Sequence, residues 1–264
     1  MSNFQNTIKA YLEKNSDSLK FLRHVPFPLR FGRTYKKHQN LIDWYENANK
    51  EQRKKFHFEK LNKILQFSYE KIPFYKDFYE TNNYSPKKFL KFEDFSEVPI
   101  VTKKDLKKYF IDERSLNLHG SQISNTGGTS GNPLNFKIDR NTFSREWAYM
   151  HKIWNRLDYK KNDLKLTLRG KNLGSEPIRY NLIHNEYIVN AYLSYDLILE
   201  KLVEISNKNK IKFLHGYPSA IYEFCKYLKK TGFDAKNSIF KDLKGVLLGS
   251  EFPAPIYRNE IEDY

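Results

Sequence analysis

At 264 residues, with 39% hydrophobic and 16% aromatic side chains, the chain can bury a core of its own without a metal or disulfide staple. Its one cysteine, Cys225, excludes an internal disulfide and any multi-cysteine zinc or iron–sulfur site, and its helical spacing from Ile221 and Leu228 marks it as a core residue. The net charge of +15 is dispersed in lysine pairs such as Lys36-Lys37, Lys103-Lys104 and Lys160-Lys161, with acidic residues close by. That pattern suits a solvated surface better than one concentrated nucleic-acid face, so no nucleic-acid partner is expected.

The polar stretch 1–20 lacks the apolar run of a signal peptide, and nowhere do about 18 apolar residues follow one another. A cytoplasmic protein with at most weak peripheral membrane association is therefore expected.

Along the chain, 1–118 is predicted to be a mostly helical section and 119–264 an α/β part. In the first section Phe58, Leu61, Ile64 and Leu65 fall at helical spacing and are expected to share one buried stripe. Pro26, Pro28, Pro73, Pro86 and Pro99 divide the section into short pieces. Thr102 followed by Asp105 is the signature of a capped helix start.

Beyond Gly120 the pattern predicts strands at 121–125 and 134–138, then a helix capped by Asn141 and running to about Arg156. Strands follow at 164–168, 211–214 and 243–248, alternating with helices at 196–205, from Pro218 to about Lys230, and from Pro255 onward. Such alternation implies a mostly parallel sheet flanked by helices, and hence an α/β fold with a helical N-terminal section.

Three glycines in five residues stand out in Ser124-Asn125-Thr126-Gly127-Gly128-Thr129-Ser130-Gly131-Asn132-Pro133. Glycines let backbone approach a ligand closely, and consecutive amides with hydroxyls can hold an anion. The stretch is not a Walker loop, and it joins two strands rather than a strand and a helix, which sets it apart from a dinucleotide fingerprint. On composition alone, a solvated glycine-rich hairpin turn fits equally well. His184 and Glu186 form a His-x-Glu pair without the cysteines of a zinc deaminase, so His184 is expected at a solvated strand position. No Gly-x-Ser-x-Gly elbow of a serine hydrolase occurs.

Thr126-Gly127-Gly128-Thr129-Ser130-Gly131-Asn132-Pro133 resembles the phosphate-binding signature of adenylate-forming enzymes, Ser/Thr-x-Gly-Thr-Ser/Thr-Gly-Lys-Pro. Four further segments resemble the phenylacetate–CoA ligase-like branch that includes the CapK-type proteins of capsular polysaccharide clusters. They are Ile72-Pro73-Phe74-Tyr75, Val98-Pro99-Ile100-Val101-Thr102-Lys103-Lys104-Asp105-Leu106, and the pair of turns Gly216-Tyr217-Pro218-Ser219 and Gly249-Ser250-Glu251. Asn132 departs from the family's Lys, removing a positive charge beside the phosphates.

The resemblance implies the N-terminal large domain of the adenylate-forming fold, and ATP-dependent activation of a small carboxylic acid as an acyl-adenylate passed to CoA or another acceptor. In that scheme Thr126, Gly127, Gly128, Thr129, Ser130, Gly131 and Asn132 grip ATP phosphates. Gly249, Ser250 and Glu251 wall the adenine, and Tyr217 lines the acyl pocket, although an ordinary packed ring also accounts for Tyr217. The family's magnesium-binding Glu, ribose-binding Asp and catalytic Lys are expected beyond Tyr264, so the chain is expected to be an N-terminal portion with no assigned catalytic residue. A non-catalytic ATP- or AMP-binding module remains the alternative.

Overall fold

The computed structural model describes residues 24–89, 91–126 and 133–263. The chain forms two compact units. One is Thr34–Tyr149; the other joins Met150–Tyr264 to the segment up to Arg33. The change of texture near residue 119 falls inside the first of these.

Helix α1 (Phe27–Asn47) runs from one unit into the other and is broken at Gly32, whose φ of 76° only glycine adopts at little cost. Within Thr34–Tyr149, α2 (Lys50–Lys71) starts on an Asn49–Gln52 capping box, and α3 (Pro73–Thr81) has proline at its first position. Phe58, Leu61, Leu65 and Tyr69 of α2 pack with Tyr79, Tyr84 and Phe89. Ile64 does not join them: it is 59% exposed, because the chain turns it onto the outer side of the helix.

The short α4 (Lys103–Leu106) begins with the expected Thr102–Asp105 capping box. The hairpin β1 (Gln122–Asn125) and β2 (Asn135–Ile138) follows, paired antiparallel. Helix α5 (Thr142–Trp154) starts one residue after Asn141, where the Asp139 carboxylate accepts from the Asn141 amide at 2.7 Å and the Thr142 hydroxyl at 3.1 Å.

The other unit carries a five-stranded sheet in the order β4-β5-β3-β6-β7. Its strands are β3 (Lys165–Lys171), β4 (Ile178–Asn181), β5 (Glu186–Asn190), β6 (Phe213–Gly216) and β7 (Gly245–Leu248). All neighbours are parallel except β4 with β5. Helices α6 (Tyr195–Lys208), α7 (Pro218–Thr231) and α8 (Pro255–Glu262) complete the unit. Leu166, Leu168 and Leu214 share one hydrophobic core with Ile198 and Leu202 of α6, and with Ile221, Phe224, Cys225 and Leu228 of α7. Cys225 is buried there, as its spacing predicts, and burial pushes its thiol up to about 12.

The sheet is thus mostly parallel, as the alternation implies. The antiparallel pair β4–β5 was not expected from that alternation; its turn depends on Asn185 at φ 47°, which has no proline or glycine to announce it.

At the centre, β3 and β6 approach so closely that a Cβ on Gly216 would lie 2.1 Å from the Leu168 carbonyl oxygen. Rigid backbone on both sides leaves no route for relief. Gly216→Ala is therefore expected to destabilise the sheet unit by about 3 kcal/mol, the upper end of the usual cost of overpacking, read as a lowered urea midpoint.

Candidate functional site

Three strand ends lie in a row at the carboxyl edge of the sheet. Beside β3 and β6, the Tyr217 amide donates to the Leu168 carbonyl at 3.1 Å; beside β6 and β7, the Gly249 amide donates to the Gly216 carbonyl at 3.1 Å. The two turns that the sequence singles out, Gly216-Tyr217 and Gly249-Ser250-Glu251, are thereby held side by side. The chain steps from β3 to one side for β4 and β5 and to the other for β6 and β7, and ligands of open α/β sheets bind outside carboxyl ends at such a reversal.

Tyr217 is half-buried and caps the start of α7 ahead of Pro218. Its ring lies beside Gly170, where a Cβ would stand 3.9 Å from Cε2. Arg169 and Gly170 are exposed at the end of β3. Ser250 sits at φ 68°, a left-handed conformation that turns the chain sharply after β7. The Glu251 carboxylate accepts from the Ser219 amide at 3.1 Å, placing a negative charge at the start of α7, where the helix leaves amides unpaired. Beyond Gly249, the space that a side chain would occupy is open to 4 Å among the described residues.

In the other unit, Thr126 closes the β1–β2 hairpin. Its amide donates to the Leu134 carbonyl at 3.0 Å, and its hydroxyl accepts from the Leu134 amide at 3.0 Å, leaving the hydroxyl proton to donate elsewhere. Gly127, Gly128, Thr129, Ser130, Gly131 and Asn132 lie outside the described residues.

Beneath the carboxyl edge, on the face of the sheet away from the hydrophobic core, is a buried polar network that sequence reasoning missed. Lys165, fully buried, faces Glu186 at 3.3 Å across the β3–β5 pair and donates to the His184 carbonyl at 2.8 Å. Glu186 accepts from Thr167 at 2.7 Å and from Asn181 at 2.9 Å, and Thr167 in turn meets His215 Nδ1 at 3.4 Å. The Trp154 ring covers both Lys165, at 5.8 Å, and His215, at 4.9 Å. Period-two alternation placing Lys165 and Thr167 opposite Leu164, Leu166 and Leu168 was the available signal.

His184 was expected at a solvated strand position. It lies instead in the β4–β5 turn, half-buried, with its ring 5.2 Å from that of Phe31. Among the described residues no group of three or more His, Cys, Asp or Glu side chains could hold a metal. No helix there is long and apolar enough to cross a membrane.

Burial and the charge of Lys165 hold His151 at about 2 and, offset by Glu186, hold His215 at about 3. Burial likewise holds His184 at about 3. Burial would raise Glu186, but Lys165, His184 and the Thr167 hydrogen bond outweigh it and bring the carboxyl down to about 2.

Among solved structures, the chain is similar to 2-hydroxyisobutyryl-CoA ligase. In an open conformation with 2-HIB-AMP and CoA, the TM-score is 0.59 at 19% identity, over 82% of this chain and 52% of the ligase. In the thioesterification state with the same ligands it is 0.59 at 21% identity, over 82% and 47%. The chain therefore has the fold of the adenylate-forming acyl-CoA ligases. In sequence it is similar to Protein CapK of Staphylococcus aureus, 24% identical over an alignment of 210 residues, with 75% of this chain and 46% of CapK covered. The CapK-type resemblance carried by the landmark motifs thus extends over three quarters of the chain. The chain spans about half the length of these relatives, and no protein-family profile matches it.

The three histidines are neutral when folded and take up protons only on unfolding once the pH drops below their free value near 6.5, so they cost stability as the pH falls from there toward 3. Glu186 acts in the same direction lower down: its contribution, full above about 4.5, is lost as the pH falls toward 2. Between about pH 6 and 4 the histidines alone imply a loss of about 4 kcal/mol per pH unit. Urea midpoints recorded across that window should fall steeply, and His151→Phe should remove about one third of the slope.

Proposed function

We propose that this chain supplies nucleotide- and acyl-binding surfaces for ATP-dependent carboxylate activation. A substrate carboxylate attacks the α-phosphorus of ATP, displacing pyrophosphate and forming an acyl-adenylate, and the acyl group then passes to CoA or another acceptor. The observation that carries this reading is the side-by-side placement of Gly216-Tyr217 and Gly249-Ser250-Glu251 at adjoining strand ends, in a fold shared with a ligase solved with an acyl-AMP and CoA.

In this proposal Gly249, Ser250 and Glu251 form a wall against the adenine, and Tyr217 lines the acyl pocket. The segment from Thr126 to Asn132 holds the β- and γ-phosphates through amides and hydroxyls, which suits the charge that grows on departing pyrophosphate. Magnesium enters with ATP. The resemblance to the CapK-type proteins of capsular polysaccharide clusters extends the proposal to a cytoplasmic role in capsular or other surface polysaccharide biosynthesis.

The open space at Gly249 provides the test. Among the described residues, Gly249→Leu meets nothing within 4 Å of its Cβ, so the protein should fold with an unchanged melting temperature while the side chain fills the adenine position. Titration calorimetry with AMP and with magnesium–ATP should show affinity weakened by at least about tenfold. Absence of nucleotide binding by the unaltered chain, or equal binding by the variant, refutes the adenine assignment. Pyrophosphate release that depends on an added carboxylic acid separates a chain that turns over from one that only binds nucleotide.

A further inference from the structure

Helix α2 presents two unlike faces. Its inner face buries Leu65 and packs the half-buried Phe58, Leu61 and Tyr69 against the same cluster. On the opposite side Phe56, Lys60, Lys63, Ile64, Phe67 and Lys71 recur at i, i+4, i+7, i+8, i+11 and i+15, which is one continuous helical stripe. Ile64 is 59% exposed and Phe67 39% exposed, and Lys60, Lys63 and Lys71 are exposed between and beyond them. At the N-terminal end of the stripe, Phe56 packs against Trp44 of α1 at 5.3 Å, and Lys60 lies over the Phe56 ring at 5.4 Å. Trp44 is itself 42% exposed.

We propose that this ridge docks the protein on an anionic lipid bilayer. Ammonium groups interleaved with indole, phenyl and sec-butyl side chains match an interface whose headgroups are negative and whose next layer is apolar. A convex helix face, without a groove, suits a soft planar surface. A nucleic acid would engage the lysines and leave Ile64 and Phe67 in water, and it would gain nothing from their exposure. Glu59 and Glu70 lie at the flank of the stripe, with Lys55 paired to Glu59 at 4.0 Å, so the lysine-rich line stays uninterrupted along its centre. The proposal does not rest on the assignment of the nucleotide site.

Flotation of the full chain with phosphatidylcholine vesicles containing about 30% phosphatidylglycerol should recover bound protein, and vesicles of phosphatidylcholine alone should not. Binding should weaken as salt is raised past about 0.1 M. The triple variant Lys60→Gln, Lys63→Gln, Lys71→Gln should reduce vesicle affinity by at least about tenfold. Ile64→Ser with Phe67→Ser should also reduce it while leaving the melting temperature unchanged. An equal charge loss elsewhere, Lys201→Gln, Lys208→Gln and Lys226→Gln, should leave binding intact. Failure of the unaltered chain to float with anionic vesicles overturns the proposal. So does equal loss in the control triple, or binding of a DNA duplex that needs the three lysines but not Ile64 and Phe67.

Discussion

One ion pair, Lys165 with Glu186, governs how the sheet is assembled. The two residues are direct neighbours in the β3–β5 register, both buried, and 3.3 Å apart. Two charges withdrawn from water are tolerated only when they face each other and their remaining donors and acceptors are met; removing one partner typically costs about 3–5 kcal/mol. Here those requirements recruit the surroundings. Asn181 brings in β4, Thr167 brings in His215 of β6, and the Trp154 ring brings in the end of α5. A slip of one residue between β3 and β5 would turn one charge into the leucine-rich core, so the pair selects a single register.

That network lies below the carboxyl edge, and its consequence is a division between fixed and accessible parts. Leu168 and Gly216 are buried and form the last pair of the β3–β6 ladder, whereas Arg169, Gly170, Ser250 and Glu251, which follow in the chain, are exposed. Loops on a rigid sheet are where binding chemistry concentrates, since the scaffold sets positions and the loops supply the groups. Glu251 adds a cross-link between two of these turns through the Ser219 amide, and so ties the turn after β7 to the start of α7.

Much of this was legible in the sequence because the signals were local. Proline at the first position marked α7 and α8, the Thr102–Asp105 box marked α4, and short apolar runs marked β3, β6 and β7. The turns Gly216-Tyr217 and Gly249-Ser250-Glu251 were legible as motifs. What escaped depended on distant partners. Nothing local in the sequence links Lys165 to Glu186; only their pairing across two strands explains their burial. The contact of Glu251 with Ser219 likewise spans distant stretches of chain. Ile64 failed for a different reason: four apolar residues at loosely helical spacing were assigned one stripe, whereas the packing of Phe58, Leu61 and Leu65 leaves Ile64 outside.

The two glycines of the candidate site show why motif and geometry must be combined. At Gly216 the missing side chain lets two backbones meet, since a Cβ would stand 2.1 Å from the Leu168 oxygen. At Gly249 the missing side chain leaves space that no atom of the described residues fills within 4 Å. The first glycine draws β6 onto β3 and thereby fixes where Tyr217 begins α7; the second keeps the neighbouring strand end clear for an approach from outside. A close backbone contact next to an open position is the arrangement needed by a surface that must hold a flat group without a bulky side chain in its way, and it follows from two residues that look alike in the sequence.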